Sequence, residues 1–299
     1  SNYEHVSLTP GADQTQLNLA WYSHTTETPA VRIATKQNMD GAKEFVGTQT
    51  EAVTIDGVKY FSNKATVKGL KENTKYYYQV FQNGKWQDAE TYTTKSFDSF
   101  SFLYVGDPQI GASKNQTSTE QEKMVSAGNE VSSAAKDNLA ARNDGYNWNN
   151  ILNDAVKDHE DVSFIVSAGD QVNAGKNERE YAAYLGADAL ASLPVATTIG
   201  NHDSVSNQYT LHFNNPNAFS DKDANYIQGK TEAGTDYYYR YGNTLFMVLD
   251  TNNYNCATHE NVMKKAISEN KDAKWRIVVF HQDIYGSGYD HSDSDGMVL

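Results

Sequence analysis

Ile199-Gly200-Asn201-His202-Asp203 closes a largely apolar run, Pro194-Val195-Ala196-Thr197-Thr198-Ile199, with a glycine and then three residues of the kinds that bind metals or move protons. The same grammar recurs on both sides of it. Phe102-Leu103-Tyr104-Val105 runs into Gly106-Asp107, and Val162-Ser163-Phe164-Ile165-Val166 runs into Ala168-Gly169-Asp170. Further on, Arg276-Ile277-Val278-Val279-Phe280 runs into His281. In open α/β sheets ligands gather beyond the C-terminal ends of the strands. Strands that each end in a ligating residue type therefore predict an α/β domain with one common crevice.

Electrostatics says what that crevice needs. Carboxylates at the ends of buried strands repel each other, and a buried charge left without a partner costs several kcal/mol. No Lys or Arg stands close in sequence to Asp107. Bound cations would remove the cost. The glycines before Asp107, Asp170 and Asn201 allow sharp turns and close approach to a ligand.

Between these strands the pattern is helical. Asn147 to about Lys157 places Trp148, Ile151, Leu152 and Val156 at helical spacing. Asn177 to Leu190 reads as a second helix, and Thr258 as the cap of a third. Leu245-Phe246-Met247-Val248-Leu249 is another strand, and Tyr237-Tyr238-Tyr239 a strand with one packed face. Alternation of this kind predicts layered sheets flanked by helices over residues 100–299. The polar stretch 114–147 reads as a surface insertion carrying some helix.

Residues 3–95 follow different rules. Leu17 to Tyr22, Val31 to Ala34 and Tyr76 to Val80 alternate in the manner of strands. Pro10-Gly11, Asp40-Gly41, Asp56-Gly57 and Asn83-Gly84 mark turns between them. This predicts an all-β sandwich, with Trp21 filling the space between sheets. Leu70 to Tyr76 resembles the corner of a fibronectin type III domain, in which Tyr76 bonds back to the backbone. Lys95 to Ser99 is the linker.

Composition narrows the partners. In 299 residues, 25 Lys and Arg face 38 Asp and Glu, a net charge of −13 that repels nucleic-acid backbones. No nucleic-acid partner is expected. No apolar run reaches the length of a membrane span. The one cysteine, Cys256, rules out an internal disulfide framework and reads as a small buried hydrophobe. His159, His212 and His259 stand without a ligand pattern and read as structural.

The order Gly-Asp, Gly-Asp, Gly-Asn-His-Asp and then a His after a strand resembles the calcineurin-like metallophosphoesterase superfamily. The β-sandwich ahead of it makes the chain most similar to the purple-acid-phosphatase branch. The resemblance implies hydrolysis of a phosphate-ester substrate by a hydroxide held on two metal ions, Fe, Mn or Zn. It implies Asp107 on the first metal, Asp170 bridging both, and Asn201 and His281 on the second. It implies His202 beside the leaving oxygen, oriented by Asp203, and export to the cell surface or beyond.

The chain departs from the family pattern in three places. Gln109 stands where many relatives carry a metal-binding His, and could ligate or could hydrogen-bond instead. Asn173 stands where purple enzymes carry the coloured Tyr. The closing Gly-His-x-His motif is absent: His291 is no match, and Met297-Val298-Leu299 looks like an interrupted helix, so the α/β domain reads as incomplete. Tyr285 and Tyr289 are candidate pocket residues. The competing reading is a non-catalytic surface-binding module with a degenerate metal site. Retention of the His202-Asp203 pair argues against it.

Overall fold

The structure is a computed structural model describing residues 2–115, 133–220, 231–253 and 256–283. Tyr285, Tyr289, His291 and Met297 to Leu299 lie outside the described residues, as does 116–132 of the expected insertion.

The first region is built of β1 (Ser7–Pro10), β2 (Leu17–Ser23), β3 (Ala30–Ala34), β4 (Lys43–Val46), β5 (Thr48–Ile55), β6 (Val58–Val67), β7 (Lys75–Gln82), β8 (Lys85–Trp86) and β9 (Glu90–Thr93). One antiparallel sheet has the order β1-β2-β6-β5. The other has the order β4-β3-β7-β8, with β9 also on β7. Alternate residues of each sheet point inward and meet: Leu17, Leu19, Trp21, Ala65 and Val67 from one, Val31, Ile33, Tyr78 and Val80 from the other. Trp21 is buried between them, as expected. The Lys71 N–H donates to Tyr76 Oη at 2.8 Å, the predicted bond at the corner.

The second region adds β10 (Ser101–Val105), β11 (Val162–Ser167), β12 (Val195–Ala196), β13 (Tyr237–Tyr241), β14 (Thr244–Val248) and β15 (Trp275–Val279). Its helices are α1 (Ser133–Asp158), α2 (Glu178–Leu185), α3 (Gln208–His212) and α4 (Cys256–Glu269). The sheet β10-β11-β12 is parallel. In the sheet β13-β14-β15 the first pair is antiparallel and the second parallel. Phe164 and Val166 of the first sheet pack on Tyr237, Tyr239, Phe246 and Val248 of the second. The opposite strand faces carry helices. Ile165 packs with Trp148, Leu152, Tyr181 and Tyr184, and Leu245 and Met247 with Val262 and Ala266. Helix, sheet, sheet, helix is the resulting layer order.

Several local expectations change in this context. Helix α1 begins well before Asn147 and absorbs the later part of the expected insertion, because Ala140 and Ala141 bury against the core. Ile151, expected on its inner face, is 60% exposed. Thr258 lies inside α4 and is buried, so it is no cap. Tyr237-Tyr238-Tyr239 packs on both faces, since Tyr238 turns toward α4. Cys256 is exposed at the start of α4 rather than buried. The helix expected from Asn177 stops at Leu185, where Gly186 caps it, and Asn177 is its N-cap through a bond from the Arg179 N–H. The strand expected over 194–199 is only the two residues of β12.

The sandwich is bound to the second region through buried polar contacts. Tyr22 Oη donates to Glu178 Oε1 at 3.0 Å, and His212 Nε2 donates to Glu178 Oε2 at 2.7 Å. The His212 ring stacks between Tyr22 and Tyr181, each centroid 4.3 Å away. Ser62 Oγ and Lys64 Nζ donate to the carbonyls of Leu211 and Thr210 at the end of α3. Among the described residues no helix is long and apolar enough to cross a membrane.

Candidate metal centre

The loops after β10 and β11 run side by side, and that parallel course sets Asp107 beside Asp170. The Asp107 N–H donates to Gly169 O at 3.0 Å, Gln109 N–H to Asp170 O at 2.9 Å, and Ile110 N–H to Gln171 O at 3.2 Å. Asp107, Gln109 and Asp170 all take positive φ, 53°, 41° and 50°. Such backbone is costly outside glycine and clusters where a site over-determines it.

Asp107, Asp170 and His281 bring ligating atoms within 4.8 Å of one another, from three different strand ends. His281 Nε2 lies 3.2 Å from Asp170 Oδ2 and 3.0 Å from Asn201 Oδ1. Its other nitrogen, Nδ1, donates to Ala168 O at 2.9 Å. That bond fixes the ring and aims Nε2 at the carboxylates, the usual arrangement of a supported metal-binding histidine. Two glycines make room. A Cβ on Gly169, at φ +112°, would lie 2.5 Å from His281 Nδ1, and a Cβ on Gly200 would lie 2.0 Å from Asp170 Oδ1.

The site attracts positive charge. Burial raises the Asp107 carboxyl above its ordinary value and Asp170 adds to this, while His281 and His202 oppose it. Burial disfavours charge on His281, yet the hydrogen bond and charge of Asp170 outweigh it and raise the imidazole to about 9. Among the described residues no lysine or arginine pairs with Asp107 or Asp170. Two carboxylates, an amide oxygen and an oriented imidazole form a donor set suited to Fe, Mn or Zn, so these residues fit the expected ions.

His202 stands outside that group. Its N–H on the backbone donates to Asp170 Oδ1 at 3.0 Å, and its ring Nδ1 donates to Asn173 O at 2.6 Å. Ring Nε2 accepts from Gln109 Nε2 at 3.4 Å, and the same amide donates to Asn173 Oδ1 at 3.0 Å. Two of the three departures from the family pattern, Gln109 and Asn173, thus bond to each other and to His202.

Asp203 does not orient His202. Its carboxylate is fully buried and accepts from Gly200 N at 2.8 Å, Gln171 Nε2 at 2.8 Å and Val172 N at 3.3 Å. Burial pushes its carboxyl up to about 7, with the backbone bonds opposing. The residue ties the Asp170 loop to the turn carrying Asn201, because those N–H groups point inward and need an acceptor. The carbonyl of Asn173 takes the place expected for Asp203 beside His202.

Residues 100–297 match the calcineurin-like phosphoesterase family, and residues 3–94 match the N-terminal domain of purple acid phosphatases. The chain belongs to the calcineurin-like phosphoesterase family. Its fold is similar to that of the purple acid phosphatase PPD1 from yellow lupin seeds, at a TM-score of 0.63 and 13% identity, covering 95% of this chain and 51% of that one. It is also similar to PhoD, at a TM-score of 0.56 and 12% identity, covering 99% of this chain and 67% of that one. The chain therefore spans about half the length of the lupin phosphatase. No curated protein matches it. The expected resemblance and fold class, an antiparallel β region followed by layered α/β structure, are borne out in this phosphoesterase-family chain.

Sequence reasoning overlooked the loop after β14, Asp250-Thr251-Asn252-Asn253. Asn252 Nδ2 lies 3.4 Å from both Ile199 O and Gly200 O, and Gln282 Nε2 donates to Asn252 Oδ1 at 2.9 Å. The signal was present: a buried apolar run, Leu245 to Leu249, breaks into polar residues here just as the other strands do.

Proposed function

We propose that this chain carries a two-metal centre for hydrolysis of phosphate esters. The observation that carries the reading is the meeting of Asp107, Asp170 and His281 within 4.8 Å, beside the Asn201 amide oxygen. Asp107 would hold the first ion, Asp170 both, and Asn201 with His281 the second. When bound, such ions stabilise charge on a phosphoryl group and make water acidic enough to supply a nucleophile near neutral pH.

The chain's own residues do the rest. The Ala168 carbonyl keeps the His281 ring turned with Nε2 toward the carboxylates. The Asn173 carbonyl keeps the His202 proton on Nδ1 and leaves Nε2 facing Gln109. As the imidazolium, with a second proton on Nε2, His202 is placed to hand that proton to the departing oxygen of an ester and return to the neutral ring. The Asn173 carbonyl, accepting from Nδ1, stabilises the charged ring before the transfer. Gln109 directs Nε2, and Asp203 holds the loops that carry Asp170 and Asn201 in register.

The test is turnover of an aryl phosphate monoester and diester by the protein loaded with Mn, Fe or Zn. His202→Ala should lower kcat by about 10²- to 10⁴-fold, the range for a positioned proton donor, while leaving metal content intact. Absence of turnover with all three metals on both esters would overturn the proposal in favour of a binding module. Equal loss of metal and turnover in His202→Ala would make His202 a ligand.

A further inference from the structure

Asn201 and His281 come from different strand ends, and among the described residues no backbone pairing joins them as it joins the Asp107 and Asp170 loops. The bridge is a side chain. Asn252 reaches the carbonyls of Ile199 and Gly200, just before Asn201, with its amide nitrogen. Its amide oxygen accepts from Gln282, the residue after His281. The Gln282 side chain is held in turn by Thr251 Oγ1, which donates to Gln282 Oε1.

Asn252 is itself clamped. Its backbone N–H and Nδ2 both donate to Asp250 Oδ1, at 3.0 and 2.8 Å. Asp250, 5% exposed, donates its N–H to Asp236 Oδ1 at 2.6 Å. Asp236 Oδ2 accepts from His259 Nδ1 at 2.5 Å, and His259 Nε2 donates to Asn253 O at 2.8 Å. The buried Asp236–His259 pair therefore grips the loop at Asp250 and at Asn253, on either side of Asn252. An arrangement held at both ends transmits little slack.

We infer that Asn252 is a positioning residue for the second metal position: by bridging the Gly200 carbonyl to Gln282 it sets how far Asn201 Oδ1 stands from His281 Nε2. This rests on the proposed function for the ions themselves and adds a residue outside the proposed ligand set. Asp107 and Asp170 owe their spacing to backbone bonds between their own loops, so loss of Asn252 acts on one metal position and spares the other.

The experiment is a calorimetric Mn(II) titration of wild type, Asn252→Ala and Gln282→Ala, with electron paramagnetic resonance of the loaded samples and a urea midpoint of each metal-free protein. Asn270→Ala, which removes an amide bonded to Ala266 O at the end of α4, serves as control. Wild type should take up two equivalents and show a spin-coupled signal. Asn252→Ala should bind one equivalent normally and the other about 10- to 100-fold more weakly, the range for residues that support a ligand. Its signal at one equivalent per chain should be that of isolated Mn(II). Gln282→Ala should weaken the same equivalent less, and reads the bridge even where Asn252→Ala folds poorly. Wild-type affinities for both equivalents in both variants, or parallel weakening of both equivalents, would overturn the inference alone. A wild-type chain that takes up no Mn(II) would overturn the proposed function, and the inference with it.

Discussion

At the junction of the two regions His212 Nε2 lies 2.7 Å from Glu178 Oε2; at the candidate metal centre His281 Nε2 lies 3.2 Å from Asp170 Oδ2. Each is an imidazole beside a carboxylate, and both carboxylates are buried. Their surroundings are not. Glu178 receives His212, Tyr22 and Gln208, so one carboxylate meets donors on both oxygens, and aromatic rings close over the imidazole on both sides. At the metal centre a second carboxylate, Asp107, and the amide oxygen of Asn201 crowd toward the same histidine. Acceptors outnumber donors there. A balanced pair sealed by rings holds two domains together, whereas an unbalanced cluster in a crevice calls for cations. Charge balance and access, rather than residue identity, separate glue from chemistry.

The contrast can be broken most severely at the junction. Glu178→Ala leaves a buried histidine and tyrosine without their acceptor, and removing one partner of a buried pair costs about 3–5 kcal/mol. Urea unfolding should show that loss, while Mn(II) uptake by the folded fraction stays as in wild type. Comparable stability in the variant would mean that the junction is not held by this pair.

Next in size, Asp170→Asn should abolish uptake of both equivalents, weakening each by more than about 100-fold, beyond the range for residues that only support a ligand. Retention of either equivalent at wild-type affinity would remove Asp170 from the bridging position.

The smallest effect concerns pH. Burial alone would raise the Glu178 carboxyl, but the charge of His212 and the hydrogen bonds of His212, Gln208 and Tyr22 hold it below its ordinary value of 4.5. A depressed carboxyl stabilises the fold above its unfolded value and loses that contribution as pH falls through the folded one. The melting temperature of wild type should therefore drop more steeply below pH 4.5 than that of Glu178→Gln. Parallel curves would show that the junction does not feel this titration.

Short-range chemistry was legible in the chain. Apolar runs ending at Asp107, Asp170, Asn201 and His281 declared the layered sheets and their common crevice, because a strand that packs on another layer carries apolar residues and a ligand must emerge where the strand ends. The corner before Tyr76 announced its own hydrogen bond, five residues away, for the same local reason. What tertiary structure alone decided were partnerships between residues distant in sequence. Asp203, adjacent to His202, turned away to the N–H groups of Gln171 and Val172, and Asn173 took its place. Tyr22 found Glu178 across 156 positions, and Asn252 found Gly200 and Gln282. Periodicity records which face of a strand or helix is buried. Which buried donor meets which acceptor depends on how layers stack, and stacking is settled only when the whole core closes.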